Sequence, residues 1–178
     1  MKNSDVLILA LSTVIALMGC GPELMKPDLA DIPENYSPEQ ASLDGCVVYE
    51  NSSTVYGQEL WDSFLSRVSI GQMAQVRLCF WSDTAPGLSA LAVPKAPEMC
   101  VEDLKYDGDF YTVSVFKNGE EQSSSYQYLF RFDGGRYTRY ILTNDSHTEW
   151  KDEWASPVSP ETEEIIDYEL VYISENRK

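Results

Sequence analysis

Gln58–Ser69 reads QELWDSFLSRVS, and Ala74–Trp81, a few residues later, reads AQVRLCFW. In the first stretch Leu60, Trp61, Phe64, Leu65 and Val68 recur at helical spacing, and Gly71 stands where the helix can end. In the second, Val76, Leu78 and Phe80 alternate with Gln75, Arg77 and Cys79. That pattern predicts a half-buried strand, apolar on one face. A single amphipathic helix leading directly into a strand of this kind needs a sheet to lie on.

Working outward from that pair, the flanking segments supply the sheet. Cys46–Tyr49 is a short apolar run that suits a strand. Tyr106-Asp107-Gly108-Asp109 turns into a strand over Phe110–Phe116, which Lys117-Asn118-Gly119 closes. Tyr126–Phe132 is expected to be a strand with Tyr126, Tyr128, Phe130 and Phe132 on one side. Asp133-Gly134-Gly135 then turns into Tyr137–Thr143, making a hairpin. Ser159-Pro160-Glu161 marks the start of one short helical turn, and Tyr168–Ile173 a final strand. The expected class is α+β: one main helix packed on an antiparallel sheet of about five to six strands. The domain runs from Asp44 to Lys178, with a size that suits one hydrophobic core.

The N-terminal end has a different character. Lys2 gives a positive start, and Val6–Met18 (VLILALSTVIALM) is an uncharged apolar stretch of 13 residues. A bilayer span needs about 20 such residues, so the length fits an export signal. The stretch ends in Leu17-Met18-Gly19-Cys20, which looks like a lipobox. Residues 1–19 therefore read as a lipoprotein signal peptide, and Cys20 as the first mature residue and the point of lipid attachment. The alternative is an ordinary secretory signal with Cys20 as a structural thiol. The cysteine falls where the apolar run stops, which favours lipidation. Residues 20–43 hold Pro22, Pro27, Pro33 and Pro38 and little apolar periodicity, and read as a tether with one helical turn at Ser37-Pro38-Glu39-Gln40. A polyproline-type chain of that length reaches roughly 60 Å. The expected location is the extracytoplasmic face of the cell membrane, with lipid on Cys20 as the attachment.

The segments Gly45-Cys46-Val47-Val48-Tyr49, Gly57–Leu65, Val76-Arg77-Leu78, Leu104–Gly108 and Tyr128-Leu129 carry a resemblance. In this order, behind a lipobox and a tether, they resemble a domain of unknown function found in lipoproteins of low-GC Gram-positive bacteria, many from the gut. The resemblance implies location and architecture; it implies no activity and no site residues.

Composition narrows the partners. Removing the signal leaves 12 basic and 28 acidic side chains, still a net charge of −16. A phosphate backbone needs a basic face, so nucleic acid is not an expected partner. Direct adsorption to anionic lipid head groups is disfavoured for the same reason. Among Cys46, Cys79 and Cys100 the odd count leaves at least one thiol without an internal partner. Cys79 and Cys100 flank a Pro-containing segment that a disulfide could staple; three packed thiols is the competing reading.

No residue pattern marks a catalytic centre, a metal site or a cofactor. His147 is the only histidine, and zinc sites draw on several close ligands. Asp107-Gly108-Asp109 and Asp133-Gly134-Gly135 read as strand turns rather than calcium loops. Glu161, Glu163, Glu164 and Asp167 suit a helix start. The one lead is aromatic: Trp150 and Trp154 stand four apart in an acidic, polar stretch. Exposed, they could stack on sugar rings or grip a peptide; otherwise they close one end of the sheet core. The expected function is a non-catalytic binding domain at the envelope, with an envelope protein or glycan as partner. The competing classes are an inhibitor or immunity-type protein acting through an acidic face, and an envelope-polymer hydrolase with two carboxylates of raised pKa in a cleft.

Overall fold

The computed structural model describes residues 26–50, 53–82, 98–134, 137–151, 156–158 and 167–175. Residues 1–19, Cys20, Trp154 and the helix start expected at Ser159–Glu161 lie outside them.

The helix read from the sequence is α2 (Gln58–Val68), which buries Trp61 and Phe64. Gly57 opens it in the left-handed region at φ 79°. A Cβ there would stand 2.5 Å from the Cys46 carbonyl oxygen, so the helix start fits against the first strand only because residue 57 has no side chain. At the other end the Gly71 N–H donates to the Val68 carbonyl at 2.9 Å. Among the described residues no helix is long and apolar enough to cross a membrane.

Before α2 come a short helix α1 (Pro38–Leu43) and strands β1 (Val47–Glu50) and β2 (Ser53–Tyr56); after it come β3 (Ala74–Ser82), β4 (Glu98–Tyr106), β5 (Tyr111–Lys117) and β6 (Glu120–Tyr126). These form a six-stranded sheet in the order β2-β1-β3-β4-β5-β6. The chain continues through β7 (Tyr128–Gly134), β8 (Tyr137–Thr143), β9 (Glu149–Lys151), β10 (Ser156–Val158) and β11 (Tyr168–Glu175). Of these, β11-β8-β7 make a second, three-stranded sheet, and β9 pairs with β10.

The class is α+β, as expected, but the sheet is mixed and a second sheet stands beside the helix. β1 and β3 run parallel, Val47 opposite Leu78 and Tyr49 opposite Phe80. The reason is the unforeseen β2: it turns back antiparallel to β1, and α2 then carries the chain across so that β3 returns in β1's direction. The strand expected over Tyr126–Phe132 is divided at Gln127, with β6 in one sheet and β7 in the other.

Three layers result. On one face of the large sheet, Val47, Tyr49, Val76, Leu78, Phe80, Leu104 and Val113 meet α2 and the second sheet. Trp61 is central: it stacks on Tyr172 of β11 (centroids 4.3 Å, 6° between planes) and meets Tyr140 of β8 edge-on at 5.2 Å. Thr54 Oγ1 and Tyr172 Oη are 3.0 Å apart, and Tyr172 also donates to Gln58, so β11 reaches the β2 edge.

On the opposite face Cys46, Val48 and Cys79 lie under Tyr36 and Ala41. The segment from Lys26 to Leu43, read from the sequence as the outer part of a tether, is thus a layer of the fold where it is described. A 3-10 turn at Leu29–Asp31 buries Leu29, and the Tyr36 hydroxyl donates to Asp44 Oδ2 at 2.8 Å. Beneath this layer β3 is buried on both faces: Arg77 and Cys79 are as enclosed as Leu78. Arg77 is held by Asp103 through two charge-assisted bonds (2.7 and 2.8 Å) and donates to the Pro27 carbonyl at 2.6 Å.

Candidate functional site

Period-two alternation along β7 turns Leu129 inward to the core and Tyr128, Phe130 and Phe132 to the opposite face of the second sheet, where they are half-buried beside the fully buried Ile141 and Thr143 of β8. Their rings follow one another at 6.0 and 6.1 Å. Trp150, on β9, lies 6.0 Å from Phe132. The Arg139 guanidinium of β8 lies over the Trp150 ring at 4.7 Å and beside Tyr137 at 5.6 Å, positions that permit cation–π attraction. Trp150 Nε1 is buried with no hydrogen-bond partner among the described residues. Of the two tryptophans singled out in the sequence, Trp150 therefore belongs to a four-ring strip backed by a cation, and Trp154 lies outside the described residues. The Phe132 and Arg139 contributions were not read beforehand. The one-sided aromatic spacing of Tyr128, Phe130 and Phe132 was visible, but which sheet face it served depended on the break at Gln127.

A second cluster lies between the sheets. Glu102 of β4 is 7% exposed, and its Oε2 has no partner among the described residues. The Cys100 thiol donates to Oε1 at 3.5 Å. Burial, then the nearby charge of Glu169 on β11, pushes the Glu102 carboxyl up to about 7. Burial raises Glu169 too, and burial followed by the Glu102 charge pushes Cys100 up to about 12. These are two carboxylates of raised pKa; Glu102 is buried and Glu169 half-buried. Two recesses among the described residues lie away from them. One of about 420 Å³ is lined by Pro27, Pro33, Asn35, Tyr36, Ser37, Gln40 and Asp44, and one of about 110 Å³ lies between Lys26, Phe64, Arg67 and Ala74.

The cysteines sort differently from the expected staple. Phe80 faces Cys100 across the β3–β4 ladder, so Cys79 and Cys100 point to opposite sides of the sheet and cannot bridge. Cys46 and Cys79 share the far face, both fully enclosed. Interaction between the two thiols draws Cys46 down and, together with burial, pushes Cys79 up. The Tyr36 hydroxyl lies 3.7 Å from Cys46 Sγ and covers the pair.

The remaining candidates resolve locally. Asp107 Oδ1 accepts from the Asp109 and Phe110 amides at 2.9 and 2.8 Å, and Asp133 Oδ1 from Arg131 and Thr138. Both carboxylates are committed to their turns. His147 is exposed. Among the described residues no group of three or more His, Cys, Asp or Glu is placed to hold a metal ion. Comparison with family models, with curated proteins and with solved structures finds no match to this chain.

Proposed function

We propose that the chain is a lipid-anchored extracytoplasmic protein whose folded domain binds an envelope polymer without transforming it. The anchor rests on Leu17-Met18-Gly19-Cys20 at the end of an apolar run of export length. The resemblance to lipoprotein domains of low-GC Gram-positive bacteria points the same way. The observation that carries the binding half is the succession Tyr128–Phe130–Phe132 along β7, with Trp150 of β9 beside Phe132 and Arg139 over the Trp150 ring. Neighbouring rings of this kind suit a ligand that is itself a repeat of flat, weakly polar faces, as sugar rings in a glycan are. Glu102 is buried beneath the half-buried Glu169, an arrangement that supports the hydrolase reading less than an open pair of carboxylates would.

The test is calorimetric titration of the mature protein in detergent with oligosaccharides of neutral and N-acetylated sugars, beside Phe132→Ala and Trp150→Ala. Loss of one stacked ring should weaken binding by about 0.5–1.5 kcal/mol, up to roughly tenfold. Failure to bind any of them, or binding that both substitutions leave unchanged, overturns the assignment of this strip.

A second reading has one observation in its favour. The β5–β6 hairpin, at an edge of the large sheet, sets Glu120 opposite Lys117 and Glu121 opposite the exposed Phe116. A projecting hairpin tip with a net negative charge suits a protein that blocks a basic site on an exported enzyme.

A further inference from the structure

Among the described residues seven large apolar side chains are exposed, and four of them gather at one pole. Leu43 (72% exposed) ends α1 where the chain passes into β1, Ile70 and Met73 (both 67%) stand in the turn from α2 into β3, and Phe110 (50%) in the turn from β4 into β5. The parallel strands β1 and β3 begin at the same end of the sheet, and Ala74 at the start of β3 pairs with Tyr106 at the end of β4. The three links therefore border one rim. Two of them touch: a Cβ on Gly108 would lie 3.9 Å from the Gly71 carbonyl oxygen. Tyr106 fixes the second turn from within by donating to the Gly108 carbonyl at 2.6 Å. Apolar side chains held on firm turns at one end of a strongly acidic chain form a patch that water disfavours.

The path of the chain says what covers it. Lys26, the first described residue, shares a hollow with Gly45, Arg67, Ala74 and Gln75, and so lies at this same rim. Cys20 precedes it by six residues, which span at most about 20 Å even when fully extended. Resting on the reading of Cys20 as the lipid-bearing residue, we infer that this pole, with Leu43, Ile70, Met73 and Phe110 at its tips, docks on the membrane surface. The anchored chain cannot carry the rim far from the bilayer, and the four side chains enter the interfacial layer. Lys26, Arg67 and Lys105 border the same rim, set against Asp44, Asp107 and Asp109. The local balance of charge lowers the repulsion that a net charge of −16 exerts toward anionic head groups. The lipid supplies the affinity, and the patch supplies the orientation. On β7, Tyr128 is at the end near this rim and Phe132 is four residues beyond it, roughly 13 Å along the strand, so the Trp150 end of the aromatic strip faces away from the membrane.

The test places a nitroxide on Gln72→Cys, within the patch, and on Glu121→Cys, at the far end of β6. Each variant is made in a bacterial host that acylates lipoproteins, reconstituted in phosphatidylglycerol–phosphatidylethanolamine vesicles, and compared with the unsubstituted chain as the labelling background. The expected result is that the Gln72 label gains collision with dissolved oxygen and loses collision with a water-soluble nickel chelate several-fold, while the Glu121 label stays in water. Replacing the tips together (I70D, M73D and F110D, all exposed positions) should return the Gln72 label to water, with the acyl chains on Cys20 unchanged by mass. A Gln72 label as accessible to nickel as the Glu121 label, on a chain whose Cys20 is acylated, overturns the docking face and leaves the anchor standing. A label shielded from both reagents would mean that protein covers the patch, which also overturns it. An unmodified Cys20 overturns both readings.

Discussion

Glu102 stands on β4 between Leu78 and Val115, where strand alternation turns its side chain toward the second sheet. An unfolded glutamate has a pKa of about 4.3, and in the folded chain burial and Glu169 push this one up to about 7. The folded state therefore holds the proton more tightly than the unfolded state. The contribution of Glu102 to stability is whole below about pH 4.3 and is lost as pH rises toward 7. The separation corresponds to roughly 3–4 kcal/mol. Urea midpoints of the native chain and Glu102→Gln, compared at pH 4 and pH 8, check this. The two chains should be nearly equal at the lower pH, and the Gln chain should be the more stable by about 3 kcal/mol at the higher. Carboxylates remote from Glu102 titrate alike in both chains, so the difference reports Glu102 together with its coupling to Glu169. A difference that does not change with pH would show that Glu102 is ionised within the fold at no cost.

At the scale of elements, the segment from Lys26 to α1 is the part whose role changes most between sequence and structure. Its prolines and weak periodicity describe an extended chain correctly, but an extended chain can still bury side chains at intervals, as Leu29, Tyr36 and Ala41 do. Pattern reading finds helices and alternating strands because their burial is periodic; a segment that covers a sheet with single residues leaves no period to find. For the same reason β4 escaped notice: Glu102 and Asp103 occupy adjacent, oppositely directed positions, one buried between the sheets and the other paired with Arg77, so the alternation is masked by charge. β6 escaped because EEQSSSY is an edge strand exposed along most of its length, with only Tyr126 buried. By contrast α2, β3, the β7–β8 hairpin and β11 were legible, since each buries one regular face. The candidate strip was half legible: Trp150 was named, but its neighbours came from another strand. The cover gives a prediction. A chain shortened to begin at Asp44 should lose about 3 kcal/mol or more, the burial of Leu29 and Tyr36 alone. Its Cys46 and Cys79 should react with a thiol reagent under conditions that leave both inert in the full-length chain. Equal reactivity in the two chains would mean that the segment does not shield the sheet.

For the molecule as a whole, a large acidic surface, a covered sheet and one apolar pole describe an object with two ends. The pole bearing Leu43, Ile70, Met73 and Phe110 lies where the chain leaves toward Cys20, and the strip ending at Trp150 runs away from it. Net charge explains the acidic remainder as a surface that stays solvated and resists adsorption, which under the proposed docking would confine lipid contact to one place. All of this hangs on the first mature residue. Mass spectrometry of the N-terminal peptide, taken from the protein purified out of bacterial membranes, tests it most directly. The account predicts a peptide that begins at Cys20 and carries diacylglycerol on its sulfur; a peptide in which Cys20 is an unmodified thiol would contradict it.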